Sequence, residues 1–463
     1  MGNPALRGML DVDTLKQMVA DERIETVLAV FPDMYSRFMG KRITGHFFVE
    51  EILHHGMHAC DYLLASDMEM VPVPGYKFTS WATGYGDFRL LPDLSTLRLA
   101  SWLDKTAIVL CDVFEEENDA LVSVAPRTIL RRQVERAAER GYMAMGASEL
   151  EFFVFRDSYD DAAQKHYMGL DPIGRYVEDY HIFQGTKEDD IVGAIRYHLD
   201  RSGVPVEFSK GEWGPGQQEI NVRYADFLEM ADRHVIYKHG AKEIAWQRGR
   251  SLTFMAKWDA RYAGSSMHLH ASLWDKTGTK PLFPGNERLG PIHASSIFRW
   301  FLGGWIAHLR EIFPFYAPYP TSYKRYVAGT FAPTGISWSY DNRTAGFRIV
   351  GHGPSLRIEC RAPGADANPY LGFAATLAAA LDGIEHKIEP PPMFEGDLYT
   401  ARELPQVPKT FNEAIRELEN STWARQVFGD DVIDHYLHFF RTEQNRFDEV
   451  VTNWELARYF ERA

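Results

Sequence analysis

Four segments of this chain alternate apolar and polar residues with a period of two. Their polar positions carry glutamate, histidine and arginine, where a solvated strand favours threonine, lysine and serine. In residues 148–155 (SELEFFVF), Glu149 and Glu151 share one face, about 6.6 Å apart along the strand, and Leu150, Phe152 and Val154 share the other. In residues 211–224 (GEWGPGQQEINVRY), a Pro-Gly turn joins Glu212 to a strand that presents Gln217, Glu219, Asn221 and Arg223 on one side. Residues 265–274 (SSMHLHASLW) put His268, His270 and Ser272 together. Residues 355–364 (SLRIECRAPG) put Arg357, Glu359 and Arg361 opposite Leu356, Ile358 and Cys360.

Any one such strand, taken alone, reads as half-solvated. The four together imply more. If their polar faces converge, they enclose Glu149, Glu151, Glu212, Glu219 and Glu359 with imidazoles and two arginines. Charges are too costly to collect in a buried site unless metals and ionic substrates compensate them. A ligand set rich in oxygen with one imidazole suits Mg²⁺ or Mn²⁺ rather than Zn²⁺. Divalent ions beside arginines serve phosphoryl transfer, where negative charge spreads over the moving oxygens. Further arginines lie between the third and fourth segments: Arg325 in SYKRYVAGTFAP, and Arg343 and Arg348 in DNRTAGFR. There is no Walker A or Rossmann fingerprint, so a nucleotide here is not held by a P-loop.

A formal charge of −14 leaves no electrostatic footprint for nucleic acid. Cys60, Cys111 and Cys360 form neither a disulfide framework nor a zinc pattern, and read as reduced thiols of a cytoplasmic protein. The acidic start is not a secretory signal. It begins Met1-Gly2, but Leu6 stands where myristoylation wants Ser or Thr. No run approaches the roughly 18 apolar residues of a membrane span, and the Ala-rich run from Leu371 to Leu381 reads as a buried helix.

The local patterns predict a helix over 12–20 capped by Asp11, strands over 25–31, 41–48 and 107–113, and a helix over 50–64. His54 and His58 would share a face of that last helix. A break at Asn118 and Asp119 divides the chain into 1–118 and 119–463. A helix over 126–139 follows, with Pro126 in its first turn and Leu130, Val134, Ala137 and Ala138 as its apolar stripe. Residues 386–408 are Pro-rich and read as a surface loop before C-terminal helices.

The ordered motifs GASELEFFVF, GPGQQEINVRYADFLEMADRHVIYKHGAKEIAWQRG, TFMAK, GSSMHLHASLW, TSYKRYVAG, NRTAGFRI and RIECRAPGADANPYLGFAATLAAALDGI resemble the glutamine synthetase family over almost the whole chain. The resemblance implies an α+β fold: an N-terminal β-grasp domain, then a catalytic domain with a curved antiparallel sheet. It implies a homo-oligomer of two stacked hexameric rings, usually a dodecamer, with each active site between neighbouring subunits. By position, Glu151, Glu212 and Glu219 would hold one metal and Glu149, His268 and Glu359 the other. Arg325 and Arg361 would contact glutamate near Gly264. Arg343, Arg348 and Arg357 would face the ATP phosphates, with His270 and Ser272 near the nucleotide. Arg325 and Arg343 would also serve catalysis, and Glu212 would accept the proton of the amine.

Four positions depart from the family pattern. Pro74 stands where ammonia-using members have an aspartate, on a loop before Trp81 that reaches a neighbour's site, and Lys77 stands where they have a serine. Phe331 replaces a flap glutamate. Ala263 replaces an asparagine before Gly264. Losing two acids removes a cage for a small cation and leaves apolar room. The implied reaction is therefore ligation of glutamate to an organic monoamine such as ethanolamine. An ammonia-dependent glutamine synthetase and a γ-glutamylpolyamine synthetase are the alternatives. Tyr399, in the loop where some bacterial members are adenylylated, reads as an ordinary loop tyrosine.

Overall fold

The computed structural model describes residues 6–463, and the Met1-Gly2 start lies outside them. The first helix, Val12–Ala20, begins where the Asp11 carboxylate accepts a hydrogen bond from the Thr14 amide (2.6 Å), and it buries Leu15 and Met18. The strand Thr26–Pro32 then pairs antiparallel with Phe38–Thr44 and parallel with Thr106–Glu115. Asp87–Pro92 and Met57–Cys60 extend that six-stranded β-grasp sheet.

The two central strands are apolar on both faces because each face meets a different core. Val27, Ala29, Phe31, Ala107, Val109 and Cys111 pack with Leu15 and Met18. Leu28, Val30, Ile108 and Leu110 join the large core of the rest of the chain.

Three local expectations are corrected here. The return strand ends at Thr44, and Gly45 begins a helical stretch that runs through a π-helical turn, Phe48–Ile52, to His55. Gly56 takes a positive φ of 69° and stops that helix. His58 therefore sits in the strand Met57–Cys60, 3.0 Å from Glu116, and makes no chelating pair with His54. The helix Pro126–Glu139 forms as expected. Its buried side, however, carries Ile129, Leu130, Gln133 and Ala137, while Ala138 falls beyond the edge of the stripe and is exposed.

A second, nine-stranded sheet carries the four alternating motifs. Its order runs Trp338–Tyr340, Phe347–Val350, Arg357–Cys360, Met267–Asp275, Tyr142–Phe155, Gln217–Val222, Val206–Gly211. All neighbours on this path are antiparallel except the first pair. Together the two sheets and their helices form the expected α+β fold. Helices Phe227–Gln247 and Pro369–His386 pack beneath the curved catalytic sheet, and the latter buries the whole stretch from Pro369 to Gly383. Among the described residues, no helix is long and apolar enough to cross a membrane.

Candidate active site

Strand register decides which polar side chains meet. Glu149 lies opposite His268, Glu151 opposite Glu219, and Glu359 opposite both His270 and Arg348. The turn that closes the strand Val206–Gly211 adds Glu212. As a result, ligand oxygens of Glu151, Glu212 and Glu219 lie within 4.8 Å of one another, and so do ligand atoms of Glu149, His270 and Glu359. His268 belongs with the second group as well: its Nδ1 is 3.2 Å from Glu149 Oε2 and 3.4 Å from Glu359 Oε1. His270 Nε2 is 2.8 Å from Glu149 Oε1, and its other ring nitrogen accepts from Arg357 Nε at 3.2 Å. Arg357 thereby ties His270 toward the neighbouring cavity, and both imidazoles border the Glu149 and Glu359 carboxylates.

The charges are those of a site built for cations. Burial, and then the Glu212 carboxylate, pushes Glu151 up to about 7. Burial and then the charges of Glu149, Glu212 and Glu151 push Glu219 well above the usual carboxylate range. In the second group burial also opposes ionisation, but the charges of Arg361 and His268 hold Glu359 below the ordinary range. His270 and His268 do the same for Glu149. Burial and the Arg361 charge lower His268 to about 4, so its ring is neutral near pH 7 and has a free lone pair. Three crowded carboxylates in one group, and two carboxylates with a neutral imidazole in the other, fit hard divalent ions.

Two cavities open from this row. The first, about 230 Å³, is lined by both carboxylate groups, Arg325, Arg361, Arg343, Arg348, Ala263, Gly264 and Phe331. The second, about 470 Å³, is lined by His270, Ser272, Arg357 and the rings of Phe208, Tyr224 and Trp274. Glu149, Phe208 and Asn221 border both. A smaller cavity lined by charged groups thus meets a larger, partly aromatic one across the shared Glu149 carboxylate.

Arg325 is buried, donating to the carbonyls of Ala362 (2.9 Å) and Arg361 (3.0 Å). Arg361 pairs with Glu359, and Arg348 donates to the same carboxylate at 2.9 Å. Arg343 stands exposed at the rim of the first cavity. Gly264 is dictated by close approach: a Cβ there would lie 2.4 Å from the Ala256 carbonyl oxygen and 2.6 Å from Arg325 Cγ.

These features, with the order of the strands, are the architecture the sequence motifs implied. The glutamine synthetase catalytic-domain description matches residues 123–459. The chain belongs to the glutamine synthetase family. It is similar to the γ-glutamylethanolamide synthetase GlnA4 of Streptomyces coelicolor, 46% identical over 453 residues, which cover 98% of this chain and 96% of that one. It is 36% identical over 450 residues to the glutamate–isopropylamine ligase of a Pseudomonas species, covering 96% and 97% of the two chains. A solved structure of GmaS with ADP superimposes with a TM-score of 0.84 at 28% identity, covering 96% of this chain and 99% of that one. Like these named ligases of the glutamine synthetase family, the protein is a carbon–nitrogen ligase.

Several cavity residues were not singled out from sequence. Asp179 and Tyr180 come from a loop before the helix Ile182–Asp200, and the Asp179 amide donates to the Glu212 carbonyl at 3.1 Å. Trp213 meets Phe331 edge-to-face at 5.5 Å between ring centres. Lys210 projects from the strand that precedes Glu212. Extending the second motif upstream by the same period of two would have found Phe208 and Lys210. Nothing local marks Asp179 or Tyr180.

Pro74 and Lys77 lie away from this chain's own cavity. The Pro74 carbonyl accepts from His438 Nε2 at 2.9 Å, and Lys77 pairs with Asp434 at 2.5 Å. Tyr399 is half-buried, in the short 3₁₀ turn Leu398–Thr400.

Proposed function

We propose that this glutamine synthetase family member joins the γ-carboxylate of L-glutamate to an organic monoamine such as ethanolamine, using ATP, through a γ-glutamyl phosphate. A carboxylate resists attack by an amine, and phosphorylation gives it a leaving group. When bound, Mg²⁺ or Mn²⁺ ions supply the positive charge that phosphoryl transfer requires. Glu151, Glu212 and Glu219 hold one ion, and Glu149, His268 and Glu359 the other. Arg325 and Arg361 orient glutamate against Gly264. His270, Ser272, Arg348 and Arg357 hold the nucleotide. Arg343 at the rim meets the departing phosphate. Glu212 takes the proton that the nitrogen loses as the amide bond forms.

The observation that carries the choice of amine is the aromatic wall of Trp213 and Phe331 beside Glu212. Two apolar rings favour a carbon-bearing amine over a bare ammonium ion. The relatives named for ethanolamide and isopropylamine chemistry are 46% and 36% identical to this chain, and a Thermotoga maritima glutamine synthetase is 30% identical.

The same reading includes a cytoplasmic dodecamer of two hexameric rings, in which the 74–81 loop reaches a neighbouring subunit's site. It also includes a division at residue 118 between the β-grasp and catalytic domains. The test is steady-state ADP formation with glutamate and a panel of ammonium, ethanolamine, short alkylamines and putrescine. Ethanolamine or an alkylamine should exceed ammonium and putrescine in kcat/KM. Ammonium matching the best amine would assign the chain to glutamine synthesis instead.

A further inference from the structure

The amine side of the site contains a cation of its own. Lys210 lies opposite Glu219 in the strand pairing. Its Nζ makes an ion pair with Glu212, lies 3.7 Å from Asp179 Oδ1, and sits 4.3 Å from the centre of the Tyr180 ring. The Lys210 side chain is 14% exposed and that of Glu212 15%, so the pair is largely shielded from water. Two carboxylates and an aromatic face are the contacts by which a protein holds a primary ammonium. Here a lysine of the chain makes all of them.

The charge count points the same way. Glu151, Glu212 and Glu219 against one divalent ion leave a formal surplus of one negative charge, and Lys210 cancels it. Uncompensated carboxylates in a shielded cleft are what draw a small cation in. With Lys210 in place, a dication or an ammonium ion meets no such surplus. An organic monoamine depends on it less, because its carbon chain gains contact with Trp213 and Phe331.

We infer that Lys210 is a specificity-determining residue: its ammonium group fills the cation cage of Glu212, Asp179 and Tyr180, and so selects an organic monoamine, which gains apolar contact, over ammonium and diamines, which depend on that cage. This rests on the amine-ligase reading above.

The test uses the full-length enzyme with Lys210→Met, which removes the charge at similar length, and Lys210→Arg, which keeps it. Lys210→Gln stands in should the first variant fail to fold. The kcat/KM ratios of ammonium and of putrescine to ethanolamine should rise by about tenfold or more in Lys210→Met, the factor expected for one shielded charge worth about 1.4 kcal/mol, and stay at the wild-type value in Lys210→Arg. A second readout needs no turnover. Titration calorimetry of the metal-free enzyme should show Mn²⁺ binding about tenfold tighter in Lys210→Met than in wild type. Unchanged ratios, unchanged Mn²⁺ affinity, or an arginine variant that behaves like the methionine one overturns the inference. Wild-type enzyme that turns over no amine sinks the ligase reading instead, and the Mn²⁺ titration then decides the role of Lys210 by itself.

Discussion

Glu219 shows how a functional residue strains the protein that carries it. It is 5% exposed, its Oε1 accepts from Asn221 at 2.6 Å, and it shares its corner with Glu151 and Glu212. Crowded, desolvated carboxylates oppose folding until a cation joins them. Glu219→Gln should therefore melt no lower than wild type in EDTA. It should also lose the rise in melting temperature that Mn²⁺ gives the wild type, with turnover down at least about 100-fold. A marked drop in metal-free stability would contradict this account. Gly264 is the converse case, a residue needed for the space it leaves. Gly264→Ala sets a methyl against the Ala256 carbonyl and Arg325 Cγ. Overpacking of this kind costs about 1–3 kcal/mol. Arg325 has little freedom to move, because two carbonyls hold it. Denaturant titration should show that loss, and the KM for glutamate should rise about tenfold or more.

Between elements, the least ordinary join is at His308, the last residue of the helix Ser296–His308. Its ring stacks on Trp423 at 3.7 Å, Nε2 is 2.9 Å from Asp382 on the helix Pro369–His386, and Nδ1 is 3.0 Å from Glu311. Burial opposes its protonation. The hydrogen bonds to Glu311 and Asp382 outweigh that, and its folded-state pKa lies above the ordinary 6.5. A raised histidine pKa contributes stability that is fully present below 6.5 and is lost as pH rises through the folded-state value. Glu311 works in the opposite sense. Its pKa is lowered, because the pairing with His308 and Ser421 outweighs burial, so its contribution is present above 4.5 and is lost as pH falls. The contact is therefore strongest between those limits. Melting temperatures of wild type and His308→Gln should differ most near pH 6 and converge as pH rises toward 9. A gap that stays constant across that range would rule this out.

At the scale of the whole molecule, one chain leaves large apolar side chains in water: Trp81 (74% exposed), Ile182 (82%) and Phe460 (88%), with Val450, Val451 and Trp454 near the last of these. Apolar surface of this extent marks interaction sites, and the proposed assembly of subunits would bury it. The C-terminal helix Asn453–Tyr459 has no buried residue within the chain. It can therefore be removed without opening the core. A chain ending at residue 449 should keep its fold by circular dichroism but elute as a smaller assembly than the full chain in size-exclusion chromatography with light scattering. An unchanged mass would show that this segment does not hold the proposed assembly together.

What the sequence determined was local. The strand pleat has a period of two, so the residues sharing a face with Glu149, Glu219, His268 or Glu359 were readable from spacing alone. The helix Val12–Ala20 was readable from its Asp11 cap, and the helix Pro126–Glu139 from its proline and apolar stripe. Tertiary structure decided which strands became neighbours and in what register. That choice set Glu151 against Glu219 and brought Lys210, Asp179 and Tyr180 around Glu212. The physical reason is range. A side chain's direction within its own element follows from two or three backbone angles, whereas its partners across the sheet follow from the pairing of segments far apart in sequence, 119 positions for Glu149 and His268, which no local pattern encodes.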